Sequence, residues 1–118
     1  MTNADARQLA FGQPVTHPTF AAIDAAGSGD NTIVAATAAK KIRVLALHIT
    51  MTGTAVTIRF ESAAGGTALT GQMQPSQGAS ITLPYNPAGW FETVAGELLN
   101  MELSGAQSVD GCLVYALI

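Results

Sequence analysis

The sequence predicts an all-β domain, a two-sheet β-sandwich of jelly-roll type with a flexible or extended N-terminal arm. Three observations carry this expectation. Apolar residues alternate with polar ones over short segments rather than recurring at helical spacing. β-branched residues concentrate in those segments. Gly, Pro and Asn clusters separate them at fairly regular intervals. Eight or nine short strands with one apolar face each must close a barrel or stack as two sheets, and we take the sandwich.

Residues 1–18 stand apart from the rest. They are mostly small or polar and contain Pro14 and Pro18, with no sustained period. Proline fixes φ and removes a backbone donor, which discourages both helix and central strand. This stretch is read as the arm and residues 19–118 as the sandwich. Thr19–Ala25 is a weak strand, followed by the Gly-rich turn 26–30 and a strand over Asn31–Thr37. Lys41–Met51 is the longest strand. Strict alternation puts Leu45, Leu47, Ile49 and Met51 on one face and Ile42, Val44, Ala46, His48 and Thr50 on the other. Thr52-Gly53 then suggests an antiparallel hairpin into Thr54–Glu61, where Val56, Ile58 and Phe60 alternate with Thr57, Arg59 and Glu61. Shorter strands follow at Thr67–Gly71, Ala79–Leu83 and Trp90–Val94, with a firm turn over the two prolines of Pro84–Gly89. Leu99, Met101 and Leu103 alternate with polar residues, and Gly111–Ile118 ends the chain as an almost wholly apolar strand. Val56, Ile58, Phe60, Leu99, Met101 and Leu103 are the expected core.

Composition excludes several function classes. Only 11% of residues are charged and the formal net charge is −3. Nucleic-acid binding needs clustered Lys and Arg to neutralise phosphates, and the small group Lys40, Lys41 and Arg43 reads better as a solvated strand end. No nucleic acid and no membrane is expected as a partner: no segment approaches the roughly 18 apolar residues of a membrane helix, and MTNADARQLAFG lacks the pattern of a secretory leader. Cys112 is the single cysteine, so it has no intrachain disulfide partner, and its apolar surroundings suggest a buried, inert thiol.

Searching for chemistry yields little. His17 and His48 are far apart, and neither a His-Glu-x-x-His nor a Cys-x-x-Cys spacing occurs, so no metal or cofactor is expected. No serine sits in a Gly-x-Ser-x-Gly elbow. Gly27-Ser28-Gly29-Asp30 lacks the Gly-Lys-Ser/Thr ending of a phosphate loop. Glu92 and Glu102 could share neighbouring strands, but scattered carboxylates do not make a glycosidase pair. The sequence therefore reads as non-enzymatic, with no catalytic residue.

Partner-binding candidates are the large apolar side chains in light surroundings: Phe11, Phe20, Tyr85 and Trp90. Phe11 and Phe20 could anchor the arm on a neighbour. Tyr85 and Trp90 flank the proline turn, either exposed as contacts or packed over one end of the sandwich. Leu113, Tyr115 and Leu117 lie in a terminal run apolar on both faces, so one face needs a cover. They are the expected homo-oligomer interface, with the arm as the alternative cover.

The segments SGDNTIVAAT (Ser28–Thr37), KKIRVLALHI (Lys40–Ile49), ALTGQM (Ala68–Met73) and LPYNPAGWFETVAGELLNMELS (Leu83–Ser104) resemble those of small β-sandwich virion structural proteins of tailed bacteriophages. The resemblance implies a capsid decoration or cement protein, a homotrimer bound to the major capsid protein or another virion protein on the phage head. It implies residence in the virion, assembled in the host cytoplasm. The alternative is a tail- or fibre-associated module that binds host glycans or a receptor.

Overall fold

A computed structural model describes residues 17–118. Nine strands follow in order: β1 (Thr19–Ala25), β2 (Gly29–Val34), β3 (Ile42–Met51), β4 (Ile58–Ser62), β5 (Thr67–Ala68), β6 (Ser80–Leu83), β7 (Phe91–Glu92), β8 (Leu99–Leu103) and β9 (Val109–Leu117). They form two antiparallel sheets facing one another. The first has the order β1-β9-β3-β6, with β7 also paired to β3, and the second has the order β2-β8-β4-β5. The sandwich expected from alternation is thus present.

The core lies between the sheets. Ile42, Val44, Leu47, Ile49 and Met51 of β3 meet Ile58 and Phe60 of β4 and Leu99, Met101 and Leu103 of β8 in one buried cluster, with Val109 and Leu113 of β9. Of the six expected core residues, five are buried and Val56 packs partly buried against the cluster. Phe91 enters from β7 and sets its ring 5.2 Å from that of Phe60.

Two expectations about β3 need correction. Strict alternation placed Ile42 and Val44 opposite Leu47, Ile49 and Met51, whereas all five are buried in the core. The cause is a register shift between Val44 and Ala46 in the pairing with β9. One extra residue, Leu45, reverses the phase of the strand. β3 therefore has one apolar face, followed through a bulge, rather than two. The bulge is held by the proline turn, where Asn86 N–H donates to Leu45 O and Trp90 N–H to Val44 O, each at 2.8 Å. Nor do β3 and β4 form a hairpin. β3 fills both its edges with β9 and β6 or β7, and β4 pairs with β8 and β5 in the other sheet. Residues 52–57 cross between sheets, tied by Thr52 and Gly53 N–H donating to Ser108 O. A short link fixes proximity along the chain, but the pairing follows from which edges are already filled.

At the C-terminus the strand begins earlier than expected, at Val109, and passes through Gly111. Leu113 is buried in the core and Tyr115 packs against it, while Leu117 is partly exposed. On the outward phase of this strand Cys112 is exposed and Val114 half-buried, one position off the expected set, while Ala116 is buried.

Candidate interaction surface

The register of the first sheet places its outward side chains in rows across the strands. Asp24, Asp110, Thr50 and Ser80 form one end. Next come Ala22, Cys112, His48 and Thr82, then Phe20, Val114 and Ala46. Beside this third row, Pro84 and Tyr85 complete a shallow apolar groove of about 200 Å³, lined also by Leu83, Cys112 and Val114. At the opposite end stands Arg43, paired across to Glu92. The middle of this face is apolar and, among the described residues, uncovered: Phe20 is 79% exposed and Tyr85 62%.

Three of the sequence-selected residues, Phe20, Tyr85 and Trp90, are thus exposed, Trp90 to 43%. Trp90 also has a structural task, because its Nε1–H donates to Pro84 O at 2.8 Å and closes the turn against the bulge. Phe91, its neighbour in sequence, faces the core instead. Phe11 lies outside the described residues. Cys112 is exposed, contrary to the expectation of a buried thiol. An apolar run suggested burial, but the residue falls on the outward phase of β9.

The ends of this face carry opposite charge. Asp24 and Asp110 stand directly opposite one another on β1 and β9, a like-charged pair that is unfavourable across strands. Among the described residues neither has a salt-bridge partner. At the other end Arg43 and Lys41 share the single carboxylate of Glu92, at 3.0 and 3.4 Å. Burial works to raise the Glu92 carboxyl, yet the hydrogen bond and charge of Arg43, with Lys41, outweigh it and hold the group below its ordinary value.

The outer face of the second sheet holds a different arrangement. Arg59 and Glu61 of β4, Asn100 and Glu102 of β8 and Asp30 of β2 project there together. Arg59 donates to Glu61 at 2.7 Å and to Glu102 at 3.0 Å. Asn100 Nδ2 bridges Asp30 and Glu61, each at 2.8 Å, and Gly65 N–H ties the following turn to Asp30. Asp30, Glu61 and Glu102 have oxygens within 4.8 Å of one another. Arg59 and Asn100 already donate to these oxygens, so the group is an internally hydrogen-bonded network with one cation among three carboxylates. Burial pushes the Glu61 carboxyl up, but hydrogen bonds involving Glu102, Asn100 and Arg59 prevail and lower it. Glu102 is raised by its interaction with the neighbouring Glu61 carboxyl and by burial, against the opposing Arg59 charge.

These shifts have opposite signs in stability. A depressed Glu61 stabilises the fold above its unfolded-state value, and that contribution is lost as pH falls through its folded value. A raised Glu102 stabilises below its unfolded value and loses that contribution as pH rises through its folded one. Urea melts across pH should therefore show stability greatest in the mildly acidic range. Glu61→Gln should flatten the decline on the acid side, leaving the part due to Glu92; an unchanged acid limb would assign it elsewhere.

No catalytic set is assembled among the described residues. His48 does stand opposite Cys112, a proximity the sequence did not show. Its Nδ1 is engaged with Thr82 Oγ1 at 2.8 Å, no hydrogen bond joins it to the thiol, and the pair lies on an open sheet face with no donors grouped to stabilise an anion. Glu92 and Glu102 lie on different sheets, so they form no pair. No helix among the described residues is long and apolar enough to cross a membrane.

No protein-family model and no curated protein matches the chain. A solved structure does: a subunit of the Bacillus endospore appendages, which form a family of disulfide-linked pili. It is 21% identical, covers 90% of this chain and 88% of its own, and has a TM-score of 0.53. This match overturns the resemblance to phage virion proteins, and with it the capsid decoration reading, the glycan-binding tail alternative, the trimer on a major capsid protein and the location in a virion. The quoted segments are strands and turns whose residue types follow from sandwich packing, so they do not discriminate between assemblies.

Proposed function

We propose that this chain is a non-enzymatic structural subunit that packs against copies of itself in a pilus-like bacterial surface appendage. The observation that carries the reading is the match of nearly the whole chain to an appendage subunit, and the uncovered apolar face of the first sheet supports it. Such a face on a sandwich with low charge is what a neighbour would cover. The division into an arm, residues 1–18, and a sandwich, residues 19–118, belongs to this reading, with Phe20, Tyr85 and Trp90 as contact residues.

We also read the sandwich as a jelly roll. β1 with β9, β2 with β8, β3 with β6 and β7, and β4 with β5 are the rungs of one long antiparallel ribbon. Rolling that ribbon gives the two observed strand orders.

Disulfide linkage does not transfer to this chain. A continuous disulfide-linked polymer needs two cysteines per subunit, and these 118 residues have one. These residues can therefore supply at most one disulfide per subunit, and a continuous polymer of them needs non-covalent contacts as well. Sedimentation and electron microscopy of the purified chain over a concentration series test the reading. Multimers that persist under reductant are expected, and a monomer at every concentration would overturn it.

A further inference from the structure

We propose that the outer face of the first sheet packs against the same face of a second copy, about a two-fold axis lying in the interface and running across the strands. The proposal rests on the self-assembly reading and names the surface and the partner. Two sheets can meet face to face through a two-fold only if the axis lies in their common plane. An axis along the strands would set Asp24 and Asp110 of one copy over the same carboxylates of the other. Lys41 and Arg43 lie at the start of β3, one strand from Asp110 and two from Asp24, so an axis across the strands, inclined slightly towards the diagonal, sets the carboxylates over them, and it does so twice by symmetry. The Asp24–Asp110 pair, which has no salt bridge among the described residues, then gains two cations, and the pair Lys41 and Arg43, which share one Glu92, gain two carboxylates.

The apolar middle fits the same operation. From Arg43 to Thr50 the strand runs about 23 Å, and its midpoint falls between the row of Ala46 and the row of His48. Phe20, Val114, Ala46 and Tyr85 therefore bury across the axis against the second copy's row of Ala22, Cys112 and His48. Four strands about 4.8 Å apart give a face of about 440 Å² per copy, or about 900 Å² in total. That area lies at the weak end for specific interfaces, so this contact forms at high concentration or as one of several in a larger assembly. Cys112 lies beside the axis. Sheets pack about 10 Å apart, beyond the Cα separation of about 7 Å that a disulfide tolerates, but within reach of a short bis-maleimide.

The full chain, kept reduced and then treated with that reagent, reports the geometry through its single cysteine. Asp24 and Lys41 are both exposed, so Asp24→Lys, which relieves the repulsion from Asp110, and Lys41→Glu, which gives up the 3.4 Å pair with Glu92, should each shift the melting curve only slightly. Each alone should weaken association and Cys112 crosslinking about tenfold, because each homodimer then carries two repelling contacts. Mixing the two variants should restore crosslinking, since one contact regains opposite charges and the other is native. The double variant should restore it alone. Assembly that persists while crosslinking ignores both charges overturns this surface and leaves self-assembly standing. A strict monomer overturns both.

Discussion

Phe60→Ala is expected to lower the unfolding free energy by about 3–5 kcal/mol. Phe60 is fully buried and sits where β4 faces β3, its ring tilted against that of Phe91 at 5.2 Å. The chain has only four Phe, two Tyr and one Trp, and Phe20, Tyr85 and Trp90 are exposed. Few other side chains can fill the space that Phe60 leaves. Domains of this size have roughly 5–15 kcal/mol to lose, so the variant should be marginal at room temperature. Urea melts with matched slopes are the measurement. A cost below about 1 kcal/mol would place Phe60 outside the inter-sheet core.

Gly111→Ala should cost at least about 3 kcal/mol, at the upper end for overpacking. Gly111 lies within β9, flanked by Ile23 on β1 and Ile49 on β3. A Cβ there would stand 1.9 Å from His48 O and 2.9 Å from Ile49 Cα. Both obstacles are backbone, so relief requires β9 to move away from β3 along a pairing that runs from Ile42 to Met51. Gly71→Ala is the control: a Cβ at that exposed position meets nothing within 4 Å, and its effect should stay within about 0.5 kcal/mol. Thermal melts of the two variants side by side decide the matter; equal stability would show that the strands separate without cost.

The two-sheet architecture and most of the core were legible because a half-buried strand writes its burial into alternate positions. Ile58, Phe60, Leu99, Met101 and Leu103 could be named from that period alone. Val56 precedes the paired part of β4, which starts at Ile58, so its alternation continued past the strand's edge. Of the interaction surface, Phe20, Tyr85 and Trp90 were legible as large side chains in thin surroundings. Ala46, Cys112 and Val114 were not, since small apolar residues look the same facing in or out.

What the sequence by itself determined is the strand-forming segments, the turns between them, the low charge and the single cysteine. These are local properties, set by backbone preference and residue count. Only the tertiary structure decided which strands pair, because hydrogen-bonding edges carry no side-chain signature. It alone revealed the bulge at Leu45, since one unpaired residue reverses the facing of part of a strand without changing its composition. It alone set Asp24 against Asp110 and His48 against Cys112, residues 86 and 64 positions apart in the chain, because such neighbours exist only once β9 has entered between β1 and β3.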